Sequence, residues 1–85
     1  MNIMGKVRKL IKEGSVITLG NDIKYDVIFS TMYNGENYIF VTNQNNIIDS
    51  CFYKYDNTSN LKLVKDDETI KALLAIYKKQ SEDRN

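Results

Sequence analysis

The 85-residue chain has no histidine, no proline and no tryptophan, and its one cysteine is Cys51. Each absence closes a line of chemistry. Without histidine there is no imidazole to work as an acid or base near neutral pH, to activate Cys51, or to join it in a metal site. A lone cysteine excludes an intrachain disulfide, which fits a reducing, cytoplasmic setting. The lack of proline removes PxxP recognition and any proline-limited folding step. No apolar run approaches the roughly 18 residues of a membrane span. Lys6, Arg8, Lys9 and Lys12 interrupt the N-terminal stretch where a signal peptide would need a continuous apolar region. The four glycines stand singly, so no loop is built to cradle phosphate. A net charge of +1 supplies no strong field for nucleic acid or for acidic substrates.

What is present reads first as a hairpin from Ile23 to Thr42, with Asn34-Gly35 at its turn. Asn-Gly between two β-rich arms is the strongest short hairpin signal, because a type I′ turn needs positive φ at both central residues. A two-residue turn sets the register. Phe29 then faces Phe40, Thr31 faces Tyr38 and Tyr33 faces Glu36 on one side, with Ile28 opposite Val41 and Ser30 opposite Ile39 on the other. Both faces carry apolar side chains, so a covering layer is expected on each.

The rest of the chain arranges itself around that hairpin as a single small domain, residues 1–85, of a size that buries somewhat above ~60% of its extended surface. Residues 1–14 read as a short amphipathic helix, with Ile3, Met4, Val7, Leu10 and Ile11 on one face and Gly14 at its end. Residues 15–65 read as an antiparallel sheet of four or five strands: Ser15 to Leu19, the two hairpin arms, Ile47 to Tyr55, and Leu61 to Val64 with Leu61 and Leu63 inward. Along the second strand Ile23, Tyr25, Val27 and Phe29 alternate with more polar positions, which makes that side the expected core face. Asn43 to Asn46 reads as a polar loop, and in the following strand Ile48 and Phe52 fall on one side, with Cys51, Tyr53 and Tyr55 on the other. Residues 66–80 form the closing helix, capped by Asp66 and led by Asp67 and Glu68. Its stripe is Ile70, Leu73, Leu74 and Tyr77, widened by Ala72, Ala75 and Ile76. Lys78 and Lys79 suit its carboxyl end, and residues 81–85 form a frayed tail. The fold class is α+β, an antiparallel β-meander with the C-terminal helix packed on the sheet and the N-terminal helix nearby.

This order of Val16-Ile17-Thr18-Leu19, Tyr25-Asp26-Val27-Ile28-Phe29, the Asn34-Gly35-Glu36-Asn37-Tyr38 turn and the Leu61-to-Glu68 junction resembles the YrzB-like family of small uncharacterised proteins from Gram-positive bacteria. The similarity runs from about Val16 to Lys79. It departs from the family in two ways: those proteins are generally strongly acidic, and the basic stretch before Val16 lies outside their usual pattern. The resemblance implies a fold and a bacterial cytosol; it implies no catalytic residues.

Candidate chemistry is sparse. Asp49 stands two residues before Cys51, and a carboxylate beside a thiol suppresses the thiolate. The remaining acids sit at turns, on outward strand positions or at a helix cap, so no acid–base pair is set up to converge. The reading that follows is a non-enzymatic protein-interaction or regulatory module, with no cofactor, no metal, no membrane and no small-molecule substrate. Its partner is another protein or a second copy of the chain. The candidate interface is Ile3, Val7, Leu10 and Ile11 on the first helix, with Ile28, Met32, Ile39 and Val41 on the second hairpin face. Core packing is the plainer reading of the same stripes. The alternative function is nucleic-acid binding, using Lys6, Arg8, Lys9 and Lys12 together with sheet aromatics such as Tyr53 and Tyr55. That reading requires Lys24, Lys54, Lys62 and Lys65 to converge.

Overall fold

The computed structural model describes residues 11–20, 22–56 and 60–83. Five strands, β1 (Val16–Leu19), β2 (Ile23–Tyr33), β3 (Glu36–Asn43), β4 (Asn46–Tyr55) and β5 (Leu61–Leu63), pair antiparallel in sequence order. One helix, α1 (Asp67–Asp83), follows. The α+β meander expected from the sequence is therefore present. The expected N-terminal helix falls largely on residues outside the described ones. Its last positions, Ile11 and Lys12, are not helical, and Gly14 carries φ of 88° in the turn that leads into β1.

The Asn34-Gly35 turn forms as its residues dictate, with φ of 55° and 78°. It sets Tyr33 opposite Glu36, Thr31 opposite Tyr38, Ser30 opposite Ile39 and Phe29 opposite Phe40. Beyond Phe29 the pairing shifts by one. Val27, rather than Ile28, stands opposite Val41, so Ile28 is the extra residue of a β-bulge. The shift reverses the alternation. Tyr25 and Val27 join Ile39 and Val41 on one face, while Phe29 joins Phe40 and Phe52 on the other. The side expected to be a continuous core face from Ile23 to Phe29 is thus divided between both faces, and each face has a core of its own.

On one face α1 provides the cover. Phe29, Tyr38, Phe52 and Leu73 are buried together, with Tyr33, Phe40, Val64, Ile70, Ile76 and Tyr77 packed around them. The Tyr77 ring lies 5.0 Å from Phe29 and 5.9 Å from Phe40, tilted in the manner aromatic quadrupoles prefer. Asp66 caps the helix: its Oδ2 accepts from the Thr69 amide at 3.0 Å and from the Thr69 hydroxyl at 2.6 Å. The helix then continues through Asp83, beyond the expected stop near Gln80, and Lys78 and Lys79 therefore fall short of its last turn. Leu74 points largely to solvent, and Ile76 takes the packing position expected of it.

On the opposite face the sheet supplies its own cover by curling. Tyr25, Val27, Ile39, Val41 and Tyr55 are buried there, and residues from both ends of the sheet, Ile17 and Leu19 of β1 and Leu61 of β5, pack against this one cluster. The Ile11 amide donates to the Tyr55 hydroxyl at 3.1 Å and closes the curl over its end. Leu63, expected inward beside Leu61, is exposed.

Candidate functional site

The β3–β4 connection is where the structure departs furthest from a regular hairpin. The expected four-residue loop is a tight turn at Gln44-Asn45, with Asn43 opposite Asn46. The next pair is Thr42 with Ser50, so Ile47, Ile48 and Asp49 have no partner across the ladder and bulge from β4. Ile47 is 79% exposed and Ile48 88%. Ile48 does not share the buried position of Phe52, because the bulge breaks the alternation that would have linked them.

Polar side chains hold this tip in place. Asp49 Oδ2 accepts from the Tyr25 hydroxyl at 2.6 Å and from Asn43 Nδ2 at 3.1 Å. Ser50 Oγ donates to the Ile47 carbonyl at 2.8 Å, which leaves Thr42 to donate to Ser50 across 3.0 Å. The Ile48 amide donates to Asn46 Oδ1, and the Asn45 amide to Asn43 Oδ1. Gln44 reaches back to β2, its amide to the Lys24 carbonyl at 3.0 Å and its side-chain nitrogen to Asp26 Oδ1 at 2.9 Å. The two isoleucines are consequently displayed on a braced support. The bond to Asp49, followed by burial, pushes the Tyr25 hydroxyl up to about 12. The same bond, with that from Asn43, holds the Asp49 carboxyl below its usual value.

A second apolar exposure lies along β2. Met32 is 64% exposed and Ile28 39%, both beyond the point where β1 ends. Of the other expected interface residues, Ile39 and Val41 are completely buried, so they belong to the core of the curled face and are closed to a partner. Ile11 also packs on that core. Ile3, Val7 and Leu10 lie outside the described residues. Ile47 and Ile48 were missed in the sequence reading, since an Ile-Ile pair opening a strand looks like core. The polar cluster around it, Asn43 to Asn46 with Asp49 and Ser50, was the available signal that this end is a tip.

The features that nucleic-acid binding would need are dispersed. Tyr55 is buried with its hydroxyl engaged, and Tyr53 is half-buried on the same curled face. The rings of Phe40 and Phe52 meet at a tilt, 4.7 Å apart, in the cluster that α1 covers. Lys54 and Lys62 stand directly opposite one another and line an open hollow with Tyr38 and Asp66. Lys24 pairs with Thr18 near the other edge of the sheet, and Lys65 lies in the link to α1. Lys12 is exposed; Lys6, Arg8 and Lys9 are outside the described residues. Burial pushes the Cys51 thiol up, a Tyr53 hydrogen bond opposes this, and Asp49 adds to it, the reverse of what a nucleophile requires. Among the described residues no three Cys, Asp or Glu side chains are grouped to hold a metal ion, and no helix is long and apolar enough to cross a membrane.

No protein-family model matches the chain, and the comparisons with curated proteins and with solved structures found no match.

Proposed function

We propose that this chain is a non-enzymatic protein-interaction module of the cytoplasm, and that the β3–β4 tip is a contact point. The observation that carries the reading is the pair Ile47 and Ile48, 79% and 88% exposed on a bulge that a network of side-chain hydrogen bonds holds in place. Exposing two adjacent β-branched apolar side chains gains nothing for the folded monomer, and ordering the bulge costs conformational entropy. A partner that buries them would recover about 1.5–3 kcal/mol from each. Membership of the YrzB-like family, carried by the strand and turn pattern alone, belongs to the same proposal.

The test is a photo-crosslinking amino acid at position 48, activated in cells of the native host. The expected result is a discrete adduct that excess wild-type protein competes away and an Ile47→Ser, Ile48→Ser double variant does not. The reading fails if no adduct is competed, or if a crosslinker on the outer side of α1, at Lys71, gives the same pattern.

A further inference from the structure

We propose that the hollow between the sheet and the first turn of α1 binds a carboxylate, held between Lys54, Lys62 and the Tyr38 hydroxyl. The surface is distinct from the β3–β4 tip, and the inference does not depend on that reading.

The ladder sets three polar side chains in a row. Tyr38 stands opposite Lys54, and Lys54 opposite Lys62, so all three share the face that α1 covers. Two lysines directly across a ladder repel each other. Lys62 alone is accounted for as a guard on the open edge of β5. Lys54 is not, since β4 is an inner strand with β3 and β5 on its two sides. Among the described residues neither ammonium has a carboxylate within ion-pair distance. An anion bridging the two would offset their repulsion.

Tyr38 points to a ligand independently. The residue is only 7% exposed, packed with Phe29, Phe52 and Leu73. Its hydroxyl has no hydrogen-bond partner among the described residues, yet no buried polar side-chain atom among them is left unpaired. The small exposed part of Tyr38 therefore includes the hydroxyl. It opens into a hollow of about 210 Å³ that Lys54, Lys62, Asp66 and Thr69 also line. Burial, followed by the charge of Glu36, pushes this hydroxyl up from its usual 10.0, so it keeps its proton and is a donor near neutral pH.

Three unengaged donors around one space suit an acceptor with several lone pairs, and charge selects which. Two lysines against Asp66 leave the lining one positive charge in excess. Asp66 is itself occupied, its Oδ2 taking both Thr69 donors. Beyond the lysines, Glu36 and Asp56 line a smaller hollow, where Asp56 Oδ1 accepts from the Asn60 amide at 3.4 Å. A carboxylate carries a single charge on two oxygens, enough to bridge ammonium groups on strands ~4.8 Å apart and to accept from the phenol as well. A phosphate dianion would exceed that charge beside Asp66 and Glu36. The carboxylate belongs either to an acidic side chain of a partner protein or to a small free acid, and the chemistry that recognises it is the same.

The test is a two-dimensional NMR titration of the full chain with sodium acetate, and in parallel with an acetyl-glutamate-amide probe, at an ionic strength held constant with sodium chloride. Saturable shifts centred on the amides of Tyr38, Lys54, Lys62 and Thr69 are expected, with a dissociation constant on the order of millimolar. Tyr38→Phe removes the hydroxyl and keeps the ring, and Lys62→Gln removes one charge at an exposed position. Each is expected to weaken binding about tenfold and to leave the circular dichroism spectrum unchanged. Lys71→Gln, on the outer side of α1, should bind as the wild type does. Tighter binding of the glutamate probe than of acetate assigns the site to a partner's side chain, and equal or weaker binding assigns it to a free acid. Shifts that chloride reproduces, or that do not saturate by about 100 mM, overturn the inference. So does binding that survives both Tyr38→Phe and Lys62→Gln undiminished. None of these results bears on the crosslink at position 48, so the two proposals fail separately.

Discussion

The two faces of the sheet each bury a cluster of apolar side chains, by different means. One is closed by a separate layer, α1 laid over Phe29, Tyr38 and Phe52, whereas the other is closed by the sheet curling until β1 and β5 share a cluster around Ile39 and Val41. A helix packed through side chains alone can shift to fill a gap. A strand held by ladders on both sides cannot. The difference teaches where this domain is rigid and where it has room to adjust, and it can be put to measurement.

The largest effect is expected from the matched deletions Ile39→Ala and Leu73→Ala, since both side chains are completely buried, one in each core. Deletions of this kind cost between about 2 and 5 kcal/mol, depending on how far the surroundings collapse into the cavity. Ile39 sits in β3, bonded to β2 and β4, so its cost should fall toward the upper end and that of Leu73 toward the lower. Urea denaturation of both variants decides this, and equal costs would remove the distinction between the two covers.

Next in size is the helix cap. Asp66→Ala removes the acceptor for two Thr69 donors and should lower the melting temperature by on the order of a few degrees, while Asp66→Asn retains most of the capping. The Asp66 carboxyl is held below its usual value of 3.8, first by the Thr69 hydroxyl and then by the Thr69 amide. Its contribution is therefore present above that value and lost as pH falls through the lower, folded one. Thermal melts across the acid range should show the loss in the wild type and a flatter profile in Asp66→Ala.

The brace beneath the β3–β4 tip responds at the other end of the pH scale. Tyr25 is raised from 10.0 to about 12, first by the Asp49 hydrogen bond, so the fold favours the neutral phenol. That stabilisation is complete below pH 10.0 and fades as pH rises toward about 12. Asp49→Asn should bring one tyrosine's ionisation down toward 10.0, read from tyrosinate absorbance against the wild type. An unchanged titration would mean that the Tyr25–Asp49 contact does not hold the bulge.

The smallest effect is expected at the tip itself. Ile48→Ser removes a side chain that is 88% exposed and should leave stability within about 0.5 kcal/mol of wild type. A larger loss would show that Ile48 packs on its own chain, and would make the tip part of the curled core.

Much of this architecture was readable in the linear chain, because its signals act over a few residues. Asn34-Gly35 dictates its own turn through positive φ and thereby the pairing of Phe29 with Phe40, and Asp66 followed by Asp67 and Glu68 starts a helix wherever the chain is free to form one. Strand order follows from short connections. What only the tertiary structure decided is which side chains face which core. Alternation assigns faces only while the ladder is unbroken, and one extra residue at Ile28 turned Phe29 toward the helix, while three at Ile47 to Asp49 turned two isoleucines into solvent. Those bulges are chosen by long-range fits: the curl that joins β1 to β5, the ring of Tyr77 over Phe29, and the reach of Tyr25 to Asp49. Because such fits join residues far apart in the chain, the residue pattern around Ile28 carries no local trace of them, and that around Ile47 shows only a polar tip.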